Sequence, residues 1–306
     1  MISEPAKGVA ATIAAASIWG LSSLFYKQLS DVPALEVLSH RTLWSLVFFA
    51  LVLGFQGRLR LVWAAFRTPG AFAIIALASF MIAANWFLFI WSIQVGRATE
   101  SSLGYYIFPL VAVFLGRIFF GERLAPVQWV AVALAGCAVT LLAFGLGAAP
   151  WVALLLASTF GLYGLIKKKL DLGPVVSVTA EVILIAPVAA YVLLQSYHNG
   201  SSAFGTDWAV SGMLILAGPL TAMPLILFSF AARRLTMATC GLLLYINPTL
   251  QFACAVFVFA EPFGPWHLGA FTVIWSALAL YSVSALRREN ARRKSVTAAL
   301  ASGATV

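Results

Sequence analysis

Ten apolar stretches, each about as long as a bilayer is thick, divide this chain. They cover roughly 8–26, 37–55, 71–93, 101–120, 128–146, 151–166, 174–196, 209–230, 238–258 and 266–286. A helix needs about 20 apolar residues to cross a hydrocarbon core about 30 Å thick. Backbone polar groups in lipid must find partners within their own segment, so the stretches are helices and not strands. The expected fold is an all-α membrane protein with ten transmembrane helices. The longest internal connection, Gln56–Gly70, leaves no room for a catalytic domain outside the membrane. The first stretch is too long for a signal peptide, carries Trp19 and Tyr26, and precedes nine more spans, so it reads as a retained helix.

Composition sharpens the picture. Hydrophobic residues make up 62% and charged residues 9%, against about 45–50% and 25% in soluble domains. Such a chain cannot cover itself with a water-compatible surface, which excludes a soluble enzyme, a nucleic-acid binder and a disordered protein. The net charge of +9 falls in short clusters between apolar stretches. With both termini placed in the cytoplasm, 16 of the 19 Lys and Arg residues lie inside, Lys27 and Arg97 outside, and Arg41 within a span. The positive-inside rule favours that orientation. The basic segment 287–306 then reads as a stop signal lying on anionic lipid. Cys137, Cys240 and Cys254 all sit inside apolar runs, so neither a disulfide framework nor a zinc site is expected.

The chain also repeats itself. Pro109, Glu122 and Pro126 are spaced 13 and 4 apart, and Pro248, Glu261 and Pro265 repeat that spacing 139 residues on. Tyr106 precedes the first proline as Tyr245 precedes the second. Ser17-x-x-Gly20-Leu21 matches Ser158-x-x-Gly161-Leu162, and Pro33 matches Pro174 at an offset of 141. The units are 7–146 and 151–286, followed by the basic tail. Each holds five spans, an odd number, so the second unit is expected upside down relative to the first. The first Glu loop lies on the basic side, while Glu261–Pro265 has no Lys or Arg. Inverted repeats are a common design of secondary transporters.

Several residues could carry chemistry. Pro109 and Pro248 lie near mid-span, where proline kinks or breaks a helix. Glu122 and Glu261 are expected to cap the helices that follow them, or else to act as gate latches. The second span holds Glu36, His40 and Arg41, in which Glu36 is placed to reach one of the other two on the same face. The alternatives there are a structural pair and contact with a solute or proton. Glu181 has no Lys or Arg within one turn of its own helix and aligns with His40 at the offset of 141. An isolated carboxylate in a span tends to hold its proton unless a partner from another helix intervenes, so Glu181 is either a coupling group or half of a buried pair. Asn85, Tyr105, Tyr106, Tyr245, Asn247 and Gln251, with Trp86 and Trp91 nearby, suit an amphipathic solute or, residue by residue, ordinary interhelical bonding.

Gly116-Arg-Ile-Phe-Phe-Gly121 continues with Glu-Arg, so it is not a phosphate-binding loop. No cofactor and no metal are expected.

Two five-helix units that each end in Pro-x12-Glu-x3-Pro resemble the EamA-type members of the drug/metabolite transporter superfamily, over essentially all of residues 7–286. Lys7-Gly8, Ile18-Trp19-Gly20, Pro33 through Ser45, Asn85-Trp86 and Tyr245-Ile246-Asn247-Pro248-Thr249 resemble the RarD branch, the chloramphenicol-sensitivity permeases. The resemblance implies a ten-helix bundle in a bacterial inner membrane, a central cavity between the halves, and export of small metabolites or drugs. It implies the second-span string and Tyr245–Asn247 as cavity residues. The first unit has Phe108 where the second has Asn247, so an asymmetric cavity is expected. The partners are then the lipid bilayer and a small-molecule substrate, carried by alternating access with possible proton exchange at Glu181 or His40. The alternative is a non-transporting scaffold or sensor, which predicts a closed interior with Glu181, His40 and Arg41 all paired. A membrane-embedded enzyme would need clustered ligands or acids that the sequence does not offer.

Overall fold

In a computed structural model that describes residues 3–121, 125–146 and 150–301, all ten stretches are helical. The helices are α1 (Glu4–Gln28), α2 (Ala34–Phe55), α3 (Leu59–Ala64), α4 (Pro69–Gln94), α5 (Ala98–Phe120), α6 (Pro126–Leu146), α7 (Trp151–Lys167), α8 (Pro174–His198), α9 (Trp208–Ala232), α10 (Met237–Leu244), α11 (Ile246–Ala253) and α12 (Pro265–Ala301). Nine segments among the described residues are long and apolar enough to cross a membrane, and α7 is a shorter apolar helix of 17 residues. The protein is a multi-pass membrane protein of about ten helices.

Local chemistry sets the helix starts. Ser3, Thr68 and Asp207 accept the backbone N–H groups of Ala6, Ala71 and Val210, which satisfies donors left open at the first turns of α1, α4 and α9. Prolines open α4, α6, α8 and α12, where the missing N–H costs nothing.

Three features differ from the sequence reading. The Gln56–Gly70 connection contains α3, held by Val62, which is buried with Leu53, Ile75 and Val176. The helix α12 continues through the basic tail to Ala301, beyond the boundary expected at 286. The two mid-span prolines also behave differently. Pro109 sits inside an unbroken α5, whereas the matching span is interrupted at Tyr245 between α10 and α11 and ends in a π-turn, Cys254–Val258, before Ala260 at φ 52°. Pro248 leaves the carbonyl four residues earlier without its helical donor. Along α5 the close approach of α7, with Gly104 against Ala153 and Gly161 against Ala112, keeps the helix in place.

The packing has a reciprocal pattern. The α5 helix lies along α7, as α10 and α11 lie along α1; α1 packs on α9, as α7 packs on α4; α2 packs on α9, as α8 packs on α4. The α2–α8, α6–α12 and α5–α11 contacts pair each helix with its own counterpart. Gly20 and Gly218 let the backbones meet: a Cβ on Gly20 would strike Leu250 and the Asn247 carbonyl, and one on Gly218 would strike the backbone of Trp44.

Candidate solute-binding site

The second span buries three ionisable residues in succession. Glu36, His40 and Arg41 are 1%, 6% and 6% exposed. Of the two alternatives, the structural pair of Glu36 with His40 or Arg41 is not formed. Oε1 of Glu36 instead accepts the backbone N–H of Ala203 at 2.8 Å and the hydroxyl of Ser202 at 3.3 Å. The connection between α8 and α9 thus brings donors to Glu36, and the carboxylate is held there, away from Arg41.

Arg41 is surrounded by rings. Its guanidinium carbon lies 4.3 Å from the Trp86 ring centre and 5.6 Å from that of Tyr26. Tyr26 meets Phe89 edge-on at 5.8 Å, and Phe89 meets Tyr105 at 5.9 Å. Cation–π attraction of this kind contributes about 0.5–2 kcal/mol. It supplies no acceptor for two of the nitrogens: Nε and Nη1 of Arg41 are buried and have no hydrogen-bond partner. His40 stacks on Phe204 at 4.9 Å and its Nε2 is also buried and unpartnered.

The other sequence-singled residues fall into separate groups. Asn85 is saturated. Its Oδ1 accepts the Tyr105 hydroxyl at 2.9 Å, and its Nδ2 donates to the Leu156 carbonyl and to Thr159 Oγ1, each at 3.0 Å. It therefore ties α4, α5 and α7 together. Tyr106 and Tyr245, matched in the repeat, meet each other with ring centres 6.5 Å apart, and the Tyr106 hydroxyl bonds to Thr249 Oγ1 at 2.8 Å. Gln251 donates to Asn247 Oδ1 at 2.7 Å, and its own Oε1 is buried without a partner.

Glu181 is fully buried and fully engaged. Lys167 Nζ lies 3.0 Å from its Oε1, the Ser177 hydroxyl donates to Oε1 at 2.9 Å, and the Tyr163 hydroxyl donates to Oε2 at 2.9 Å. Of the two alternatives, the structure has the buried pair. Its cation comes from α7, beyond the reach of a search confined to the helix of Glu181.

Glu261 does not cap the helix that follows it. Its two carboxylate oxygens accept the N–H groups of Ala98 and Thr99 at 2.6 and 2.7 Å, with the Thr99 hydroxyl at 2.7 Å. It thus caps α5 of the other half, at the positive end of that helix. His267 takes the local role by accepting the Gly264 N–H. Glu122 lies outside the described residues.

Tyr26, Phe204, Tyr163 and Lys167 were not singled out by sequence. Tyr163 and Lys167 have a signal that could have found them, the i, i+4 spacing that lets Lys167 bond to Tyr163 at 2.8 Å. Tyr26 and Phe204 have none: Tyr26 is one of many aromatic residues in the spans, and Phe204 lies in the connection between α8 and α9. A central cavity open to solvent was implied, yet Arg41, His40, Asn85 and Gln251 are all at most 6% exposed. Trp86, Tyr245 and Asn247 are half-buried and Thr249 is exposed. Two hollows lie elsewhere, one of about 310 Å³ beside Ala65, Thr68 and Leu170, and one of about 490 Å³ on α6 beside Gly136 and Phe144.

About ten apolar helices around buried polar and aromatic side chains define a polytopic membrane protein, and comparison with known proteins narrows that class. The EamA-like transporter family matches residues 6–144. The uncharacterized transporter YojE of Bacillus subtilis is 42% identical over 95% of this chain and 98% of its own length. Protein RarD of Streptomyces exfoliatus is 39% identical over 97% of this chain and 94% of its own, and protein RarD of Escherichia coli 37% over 92% and 95%. A solved crystal structure shares the fold with a TM-score of 0.61 at 14% identity, covering 92% of this chain and 97% of that one. The chain belongs to the EamA-like transporter family, in its RarD branch.

Proposed function

We propose that this protein is a secondary carrier that exports a small organic solute across a bacterial inner membrane by alternating access. The units 7–146 and 151–286 act as inverted halves, with both termini cytoplasmic. The reciprocal helix packing supports that reading, because each half offers its partner the same set of contacts. The relatives named as transporters support it too, and a Pseudomonas aeruginosa relative, 31% identical over 94% of this chain, is named chloramphenicol-sensitive protein RarD.

The observation that carries the reading is the pair of unpartnered groups at Arg41 and His40. A scaffold that merely kept the fold would pair every buried charge, as Glu181 is paired. Ionisable groups left open inside a bundle mark a pathway by default. In the conformation described, Glu261 on α5 and Glu36 on the α8–α9 connection tie the face opposite the basic one. Their release is the step that opens that face. The proton-coupled form of this reading rests on His40, since Glu181 is tied to Lys167.

Reconstitution into liposomes tests the reading. Uptake or exchange of an amphipathic drug, an amino acid or a related metabolite is expected, and its complete absence across such a panel overturns it. A His40→Gln variant with unaltered transport between pH 5 and 8 would remove the proton step alone.

A further inference from the structure

Resting on that reading, we infer that the solute is an organic anion, with its carboxylate bound by Arg41 and its apolar body lying among Tyr26, Trp86 and Phe89. A guanidinium stays protonated under all relevant conditions. Burying it without an anion is costly, and a chain keeps such a charge in a span chiefly where it serves a ligand or pathway. Arg41 is 6% exposed, two of its nitrogens have no acceptor, and among the described residues no carboxylate forms an ion pair with it. The carboxylate nearest in sequence on its own helix, Glu36, is held by Ala203 and Ser202.

The missing partner is therefore a planar acceptor of one negative charge. Carboxylate geometry suits the fork of guanidinium donors, which is why arginine recognises it bidentately. The rings against Arg41 decide the rest of the ligand. They offer apolar and aromatic contact, and the amide of Asn85 beside them is already bonded on both its oxygen and its nitrogen. A sugar or another polyhydroxylated solute would lay most of its hydroxyls on ring faces, where only the Tyr26 hydroxyl and the Trp86 indole N–H can bond them. A cation would meet Arg41 as a like charge.

The probes are phenylacetate, indole-3-acetate and hexanoate, against phenylacetamide and phenethylamine as neutral and cationic counterparts. Thermal unfolding of the purified full chain reads binding. At least one carboxylate is expected to raise the melting temperature while the amide and the amine do not. Arg41→Gln is expected to weaken that carboxylate about 10- to 100-fold, the usual loss for a charge-assisted hydrogen-bonded pair, and Arg41→Lys to weaken it less. If Arg41→Gln does not fold, Arg41→Lys and the wild-type preference for acid over amide still decide the matter. No shift with any of the three carboxylates, an equal shift with the amide or amine, or a shift unchanged in Arg41→Gln overturns the inference. So does a shift given equally by sulfate or chloride, which means an adventitious ion only, or by short-chain phosphatidylglycerol alone, which assigns the site to a lipid headgroup. Proteoliposomes separate this from the carrier reading. Transport of neutral chloramphenicol, equal in Arg41→Gln, keeps the carrier and removes the anion; Arg41-dependent binding without any transport keeps the anion and removes the carrier.

Discussion

Glu181 follows His40 at the same offset of 141 as Pro174 follows Pro33, and the surroundings of Glu181 and of the His40–Arg41 pair are opposite. Glu181 accepts from Ser177 and Tyr163 and is ion-paired with Lys167, so its charge and its lone pairs are met within the protein. Arg41 has rings beside it and no acceptor for two of its nitrogens. The two positions share an offset in the sequence but not their neighbours. One position is a structural tie between α7 and α8. At the other, Nε and Nη1 of Arg41 have no hydrogen-bond partner. The same divergence shows at the prolines, where α5 runs on through Pro109 and its counterpart breaks before Pro248.

If that contrast holds, the largest loss of stability should come from Glu181. Replacing it by Leu strands Lys167, and breaking one side of a buried pair costs about 3–5 kcal/mol. The measurement is unfolding in detergent, and adding Lys167→Met should restore more than half of the loss. A smaller loss is expected for Glu261→Gln, which keeps the shape but removes a charged cap from the start of α5; about 1–2 kcal/mol fits such caps. Glu36→Gln should cost about 1 kcal/mol, since one oxygen bonds the α8–α9 connection and the other is unpartnered. The smallest effect is expected at Arg41. Arg41→Leu should stay within about 1 kcal/mol of the natural protein, because relief from desolvation offsets the lost ring contacts. A loss there as large as that at Glu181 would erase the distinction between tie and site.

The fold was readable because membrane spans announce themselves one at a time: each must be apolar over its own length, whatever its neighbours do. The reading failed where the outcome depended on another segment. It offered Glu36 a pair with His40 or Arg41 and Glu261 a cap on its own following helix, since sequence spacing reports only neighbours along one helix. The donors that captured these carboxylates come from Ala203, Ala98 and Thr99, more than 160 residues away in sequence. It also grouped Asn85, Gln251 and Tyr106 with Arg41 as one site. The structure divides them, because polarity within a span does not say which side of the helix finds a partner.

What the sequence determined alone was the number of spans and their apolar chemistry, which follow from hydrophobic length. Which buried charge is answered and which is left open was decided by tertiary packing. Hydrogen bonds and ion pairs act over about 3 Å, and only the folded bundle brings Lys167 to Glu181 while leaving Arg41 among rings.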